Sequence, residues 1–345
     1  MKRWKKELAG FLCFLVVLGA FCFGASSVLI PKRYDYGATW SMYQQEEEDT
    51  VDVMFFGSSL AYCDVIPSVI YEESGVTSYV MAGPEQTMPV TYRYVKQACK
   101  TQSPKVVFIE ATGMLYSQHN RSTKINITYM PWSLDRLALT FQVAEPEERL
   151  GLLFPLESYH SRWNEITLDE VEEGLFGYGP DLLAGYTFLK EVLPITQFTQ
   201  RDMGDYPEAY AENLEAAEEI VDLCEEQGIR VVFFVVPNSN PPETEDLARI
   251  EEDLTALGGE FWDCNQIYDQ LSIDQDTDFF DTLHFNYRGA EKYSRYLGQW
   301  LVDQGLPATQ GEDEALWQQR VEHFHALRDE ADSQPIQLSG AALQQ

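Results

Sequence analysis

The chain has 345 residues, 45% of them hydrophobic and 13% aromatic, with 24 basic and 56 acidic side chains and a formal charge of −32. It can bury a sizeable core as one α/β domain with insertions or as two domains. An acidic excess of this size repels nucleic acid and anionic membrane surfaces, which makes nucleic-acid binding an improbable role.

Lys2, Arg3, Lys5 and Lys6 open the chain, and residues 9–30 then form 22 consecutive uncharged, mostly apolar positions. At about 1.5 Å per residue such a helix crosses a hydrocarbon layer roughly 30 Å thick. Only Lys32 and Arg33 follow closely, so the positive-inside tendency puts residues 1–8 in the cytoplasm and the remainder outside the cell membrane, as a single-pass protein. A cleaved signal peptide competes, since Gly24, Ala25, Ser26 and Ser27 are small, but the apolar stretch is longer than a usual signal core. Removing residues 1–33, with six basic and one acidic side chain, leaves 18 basic and 55 acidic, a formal −37.

Residues 31–50 read as a linker ending in the polar spacer QQEEEDT, 44–50. VDVMFF is then a strand stopped at Gly57, Ser58 and Ser59, followed by a helix from about Ile66 to Ser74. TSYVMA is a second strand ending at Gly83, and a helix from about Met88 to Lys100 leads to a third strand, KVVFIEA. The alternation fails over about 112–205, which reads as a helical insertion or lid over the sheet edge. It resumes with a helix over Glu208–Gln227, the strand IRVVFFVVP, a helix from about Glu243 to Leu257 and the strand EFWDC. FFDTLHFNYRGAEKYSRYLGQWL, 279–301, enters a helix near Asn286 or Tyr287, and residues 306–345 read as one more amphipathic helix and a disordered tail.

Five short apolar strands alternating with amphipathic helices predict an α/β, flavodoxin-like three-layer sandwich with a parallel sheet over 51–305. Ligands of such sheets gather at the carboxyl ends of the strands, where the two serines stand. Cys63, Cys99, Cys224 and Cys264 follow no disulfide or zinc spacing and read as buried thiols. Neither Gly-x-Gly-x-x-Gly nor a Walker-type Gly-Lys-Ser/Thr follows a strand, so no cofactor and no metal is expected.

GSS at 57–59, at the end of the first strand, and Asp281-x-x-His284 before the last helix of the sheet domain resemble the first and last motifs of the SGNH (GDSL-type) hydrolases. With the apolar N-terminal segment and the Asp-x-x-His-Phe-Asn-x-x-Gly run, the chain is similar to extracytoplasmic acyl-transfer relatives: D-alanine transfer proteins of Gram-positive walls and alginate O-acetylation proteins. The resemblance covers about 51–115 and 205–302. It implies Ser59 as nucleophile, His284 as its base and Asp281 as the orienting carboxylate, with Ser58 in the family's aspartate position as the competing hydroxyl. It also implies oxyanion donors from the Ser59 and Gly83 N–H groups. The family's third donor, an asparagine after the third strand, is missing from IEATGM, which makes Glu110 and Thr112 candidate substrate-binding residues.

His160, Arg162 and Trp163 form a second polar and aromatic group that could hold a sugar acceptor or close over an acyl group. The alternative is that Trp163 packs inside the insertion and His160 bonds a backbone carbonyl. Asp274, Asp276 and Asp278, together with Asp281, should favour the protonated form of His284. Sequons stand at Asn120 and Asn126, and His119 reads as a surface residue.

The expected function is an extracytoplasmic serine acyltransferase or esterase acting on cell-wall or secreted polysaccharide. Its partners would be the polysaccharide or its acyl donor, the membrane through the N-terminal helix and, by the resemblance, a multispanning membrane O-acyltransferase. The alternative is a catalytically silent scaffold or glycan-binding component of a polysaccharide export assembly.

Overall fold

The structure, a computed structural model, describes residues 2–31, 36, 39–117, 122–177, 179–309 and 314–340. Lys32, Arg33, His119, the Asn120 sequon and the last five residues lie outside the described residues.

Helix α1 (Lys2–Leu29) is long and apolar enough to cross a membrane. A short α2 (Trp40–Tyr43) leads to β1 (Val53–Gly57), α3 (Ser59–Asp64), α4 (Pro67–Ser74), β2 (Ser78–Ala82), α5 (Met88–Ala98) and β3 (Val106–Glu110). The next stretch holds α6 (Thr123–Thr128), α7 (Leu134–Val143), α8 (Arg149–Leu153), α9 (Pro155–Tyr159) and α10 (Leu168–Phe176). The sheet resumes with α11 (Pro207–Gln227), β4 (Arg230–Val235), α12 (Thr244–Ala256) and β5 (Glu260–Asp263), followed by α13 (Tyr287–Asp303) and α14 (Glu314–Asp332).

All five strands run parallel in the order β2-β1-β3-β4-β5, the flavodoxin-like order. Residues of β1 to β3 are buried on both faces, which is why these strands read as unbroken apolar runs rather than alternating ones. Alternate side chains feed two cores. Met54, Phe56, Val107 and Phe233 pack under α5, α11 and α12, whereas Phe55, Phe108 and Phe234 pack under α3, α4 and α13. Phe55 and Phe108 stack at 4.8 Å. Burying one such ring contributes about 1.5–3 kcal/mol.

Two expectations about the ends of the domain change. The 44–50 stretch is docked rather than a free spacer: Gln102 Oε1 accepts from the N–H groups of Thr50 and Val51, and its Nε2 donates to the Glu47 carbonyl. The C-terminal helix α14 belongs to the core, with Trp317 and Phe324 buried and the Trp317 ring stacked on Tyr71 at 5.0 Å. Arg320, fully buried, donates to Glu46 Oε1 at 2.5 Å and to the Asp181 carbonyl at 2.9 Å. These partners are far apart in sequence, which is why neither end could be read as core from local patterning.

The insertion also differs from a simple helical lid. Its helical part, α6 to α10, packs against α5 and α1. Its last third is an extended strap: Ala184 O accepts from Val80 N on the edge strand β2, and Thr187, Leu193, Thr199 and Arg201 donate in turn to Tyr62, Phe279, Ser239 and Pro241. The strap borders the carboxyl ends of the strands and ties the sheet edge to the 275–285 loop.

Candidate active site

Gly57 ends β1 at φ +134°, in the region that favours glycine, and a β-carbon there would overlap that of Glu110 on the neighbouring strand. The turn it permits places Ser58 as the N-cap of α3 and Ser59 as its first residue. Ser58 is fully buried; its hydroxyl donates to Glu110 Oε2 at 2.7 Å and accepts from Leu60 N at 3.3 Å. Ser59 Oγ instead lies 2.8 Å from His284 Nε2. Of the two competing hydroxyls, Ser59 therefore meets the imidazole, and Ser58 orders the loop.

The 279–285 segment is a tight loop closed by a bridge between Phe279 and Phe285, whose rings pack at 5.0 Å. Asp281 Oδ1 accepts from the backbone N–H of Leu283 at 2.7 Å and of His284 at 2.8 Å. Both Asp281 oxygens stand 3.0 Å from His284 Nδ1. A carboxylate only accepts, so Nδ1 carries the proton and Nε2 is left as the acceptor for the Ser59 hydroxyl. Burial pushes the Asp281 carboxyl up, but bonds from the His284 ring and the backbone N–H groups outweigh it and hold the acid below its ordinary range. The arrangement can move the Ser59 proton onto the ring and hold the resulting imidazolium beside a charged carboxylate.

Two residues without a sequence signal fasten the halves of the site together. Asp64 ends α3, is fully buried and accepts from Phe285 N at 2.8 Å, joining the helix of Ser59 to the loop of His284. Ser294 on α13 accepts from Ile66 N at 2.8 Å. Burial, opposed by the Phe285 N–H and reinforced by the charges of Asp281 and Glu110, raises the Asp64 carboxyl well above its ordinary range. Above that ordinary range the unfolded chain ionises Asp64 while the folded protein keeps it protonated, so stability falls as pH rises toward the folded-state value. Asp64→Asn removes this loss. Unfolding free energies of both proteins, measured in denaturant from pH 4 to 9, should diverge in favour of the variant as pH rises, by about 1.4 kcal/mol per unit of raised pKa; a constant difference would contradict the assignment.

The two expected oxyanion donors differ in their backbone setting. The Ser59 N–H is first in its helix, a position without an intrahelical acceptor. The Gly83 N–H is spent on the Gly57 carbonyl at 3.0 Å, because the β1–β2 ladder continues one step past the strands. Gly83 therefore does not offer a free donor. Thr112 does not replace the missing asparagine either, since its N–H and hydroxyl both donate to Glu110, at 2.9 Å each. Burial raises the Glu110 carboxyl, against hydrogen bonds from Ser58 and Thr112 and the charge of Arg201. Glu110 and Thr112 thus hold the Ser58 loop.

Arg201 escaped sequence reasoning. It sits on the strap, its Nε and Nη2 are buried without a hydrogen-bond partner among the described residues, and its charge acts on both Glu110 and Tyr116. Nothing local marks it, because the strap reaches this place only through backbone bonds to the loop after β4.

His160, Arg162 and Trp163 are not brought to this site. They lie against α1: Arg162 Nη1 donates to the Leu29 carbonyl at 2.7 Å, and Trp163 lines a groove with Phe21 and Val28. His160 Nδ1 faces the Glu157 carbonyl at 2.8 Å, and Trp163 is exposed rather than packed within the insertion. The acidic cluster before His284 is likewise diverted. Asp278 is buried and paired with Lys292 Nζ at 2.6 Å, Asp274 accepts from Asp276 N, and of the four only Asp281 bonds the ring. Asn126 is buried with its Nδ2 on the Pro84 carbonyl, which closes that sequon to a glycan. Cys63, Cys224 and Cys264 are buried free thiols, and Cys99 is half-buried.

Compared with known proteins, the chain matches no family model and no curated sequence. Its chemistry has to be read from the geometry.

Proposed function

We propose that the protein is a membrane-anchored, extracytoplasmic serine acyltransferase or esterase of SGNH type, acting on cell-wall or secreted polysaccharide. The observation that carries this reading is the relay Ser59 Oγ to His284 Nε2 at 2.8 Å and His284 Nδ1 to Asp281 at 3.0 Å, between residues 225 positions apart. Ser59 attacks the carbonyl of an acyl donor while His284 takes its proton. The collapsing intermediate expels the donor alcohol, which receives the proton from His284, and an acyl-serine remains. A sugar hydroxyl, or water, then repeats the sequence from the other side, with His284 again as base. The Ser59 N–H at the start of α3 and the Nε and Nη2 of Arg201 are candidate donors to developing negative charge.

Transfer is favoured over hydrolysis because the asparagine donor is missing and the Gly83 N–H is occupied, which weakens catalysis toward a poor acceptor such as water. A cleft of about 550 Å³ at the carboxyl ends of β4 and β5 is lined by the rings of Phe198 and Tyr268, which could stack on a sugar, while its amides, Gln200, Asn238 and Asn265, already bond within the protein. The basic residues before the apolar helix support an N-terminus in the cytoplasm and the α/β domain outside. A multispanning O-acyltransferase, the donor-side partner the resemblance implies, remains part of the proposal. The same depleted oxyanion environment supports a second reading, a silent glycan-binding component.

Full-chain protein incubated with an activated acetyl ester separates the two. The enzyme reading expects a mass gain of one acetyl group on Ser59, lost faster on addition of a polysaccharide acceptor than in buffer alone. No acetyl-serine between pH 6 and 9 leaves the binding component.

A further inference from the structure

We propose that α9 and α10 form an interfacial hairpin whose apolar face is buried among lipid acyl chains beside α1. The inference rests on the reading of α1 as a membrane anchor. Both helices and the turn between them pack on the C-terminal third of α1. The contact is intimate: a β-carbon at Gly174 would press on Ser27 O at 2.8 Å and Val28 Cα at 3.0 Å, so a larger residue would force α10 away. Arg162 closes the junction, donating one nitrogen to the Leu29 carbonyl at the end of α1 and another to Glu170 of α10, each at 2.7 Å. An apolar groove runs along the seam between Phe21, Ala25 and Val28 of α1 and Trp163, Ile166 and Leu175.

Depth follows from this packing. The groove is lined by α1 residues 20–29, the last ten of the helix. Ten residues of helix rise about 15 Å, half of a hydrocarbon layer roughly 30 Å thick. Whatever lies against them stands at the level of one leaflet if α1 spans the bilayer. The outward side chains fit that level: Trp163 is 74% exposed, Leu168 86% and Phe176 82%. In water this would be a costly cluster of bare apolar groups. On α10, Leu168, Val171 and Leu175 fall on one side of the helix and Asp169, Glu170 and Glu173 on the other, with Glu172 and Phe176 at the boundary between them. This amphipathic pattern places a helix in the plane of the interface, with its acids toward the headgroups. No anionic-lipid attraction can assist, since the polar face is itself negative; burial of the apolar face holds the hairpin down.

The test uses the full chain in phosphatidylcholine nanodiscs, with Cys13, Cys22 and Cys99 replaced by alanine. Nitroxide labels are placed singly through Leu168→Cys, Phe176→Cys, Val17→Cys on α1 and Glu251→Cys on α12. Collision rates are measured with oxygen, which concentrates in lipid, and with a nickel chelate, which stays in water. The proposal expects an oxygen-to-nickel ratio at 168 and 176 that matches position 17 and exceeds position 251 severalfold. Nickel-dominated collisions at 168 and 176, with position 17 still in lipid, would overturn the hairpin and leave the anchor standing. Low rates for both reagents there would mean that protein covers this face, which also refutes a lipid contact. A water-exposed position 17 removes the anchor and the hairpin together.

Discussion

Ser59→Ala and His284→Ala, each as full-chain protein in detergent, should label with a fluorophosphonate about 10⁴-fold more slowly than the parent, or not at all. Ser58→Ala should retain most of the parent rate, because the Ser58 hydroxyl is committed to Glu110 and does not approach the imidazole. Asp281→Asn should fall between them. It keeps an oxygen for the Leu283 and His284 N–H groups but loses the negative charge that fixes the ring tautomer. Intact mass and peptide mapping read the result. Undiminished labelling of Ser59→Ala, or an adduct mapped to Ser58, would remove the catalytic assignment.

Arg320→Ala should lower stability by about 3–5 kcal/mol, because it strips a buried carboxylate of its cation. In a domain of this size that is a fall in melting temperature on the order of 10 °C. Arg320 holds Glu46, the Asp181 carbonyl and, at 4.5 Å, the face of the Trp317 ring, so one side chain joins α14, the segment before β1 and the insertion. The double variant Glu46→Leu, Arg320→Met should recover much of the loss, since a buried ion pair replaced by apolar groups of similar volume is often neutral. Thermal unfolding of the single and double variants checks both statements; a single-variant loss under about 1 kcal/mol would show that the pair is dispensable.

The strands were legible because a sheet covered on both faces needs continuous apolar runs, and Val106–Glu110 and Arg230–Val235 are such runs between amphipathic helices. The Asp281–His284 pair was legible because its spacing is local, closed by a single turn. Ser59 could be preferred over Ser58 only through a family likeness; the physical reason, Glu110 claiming Ser58, lies 52 residues away. The same distance problem hid Asp64, Arg201 and Arg320, whose roles depend on partners brought together by the fold. Gly83 failed as an oxyanion donor for a subtler reason. A glycine after a parallel strand can turn away or continue the ladder, and its residue type does not say which. Trp163 and Arg162 suit a sugar by residue type, but the same aromatic and cationic groups suit packing on a helix end, and that is where they lie, against α1.

Ten residues separate Leu29 from Trp40, and Trp40 is already locked in the core against Tyr94. Even fully stretched, the chain from Leu29 to Trp40 spans no more than about 40 Å, and the Arg162 bond to the Leu29 carbonyl shortens the reach further. If α1 anchors the chain as proposed, the domain cannot roam far from the bilayer. On the proposed reading it decorates polymer while the growing chain is still at the bilayer surface, and finished material farther out stays beyond its grasp.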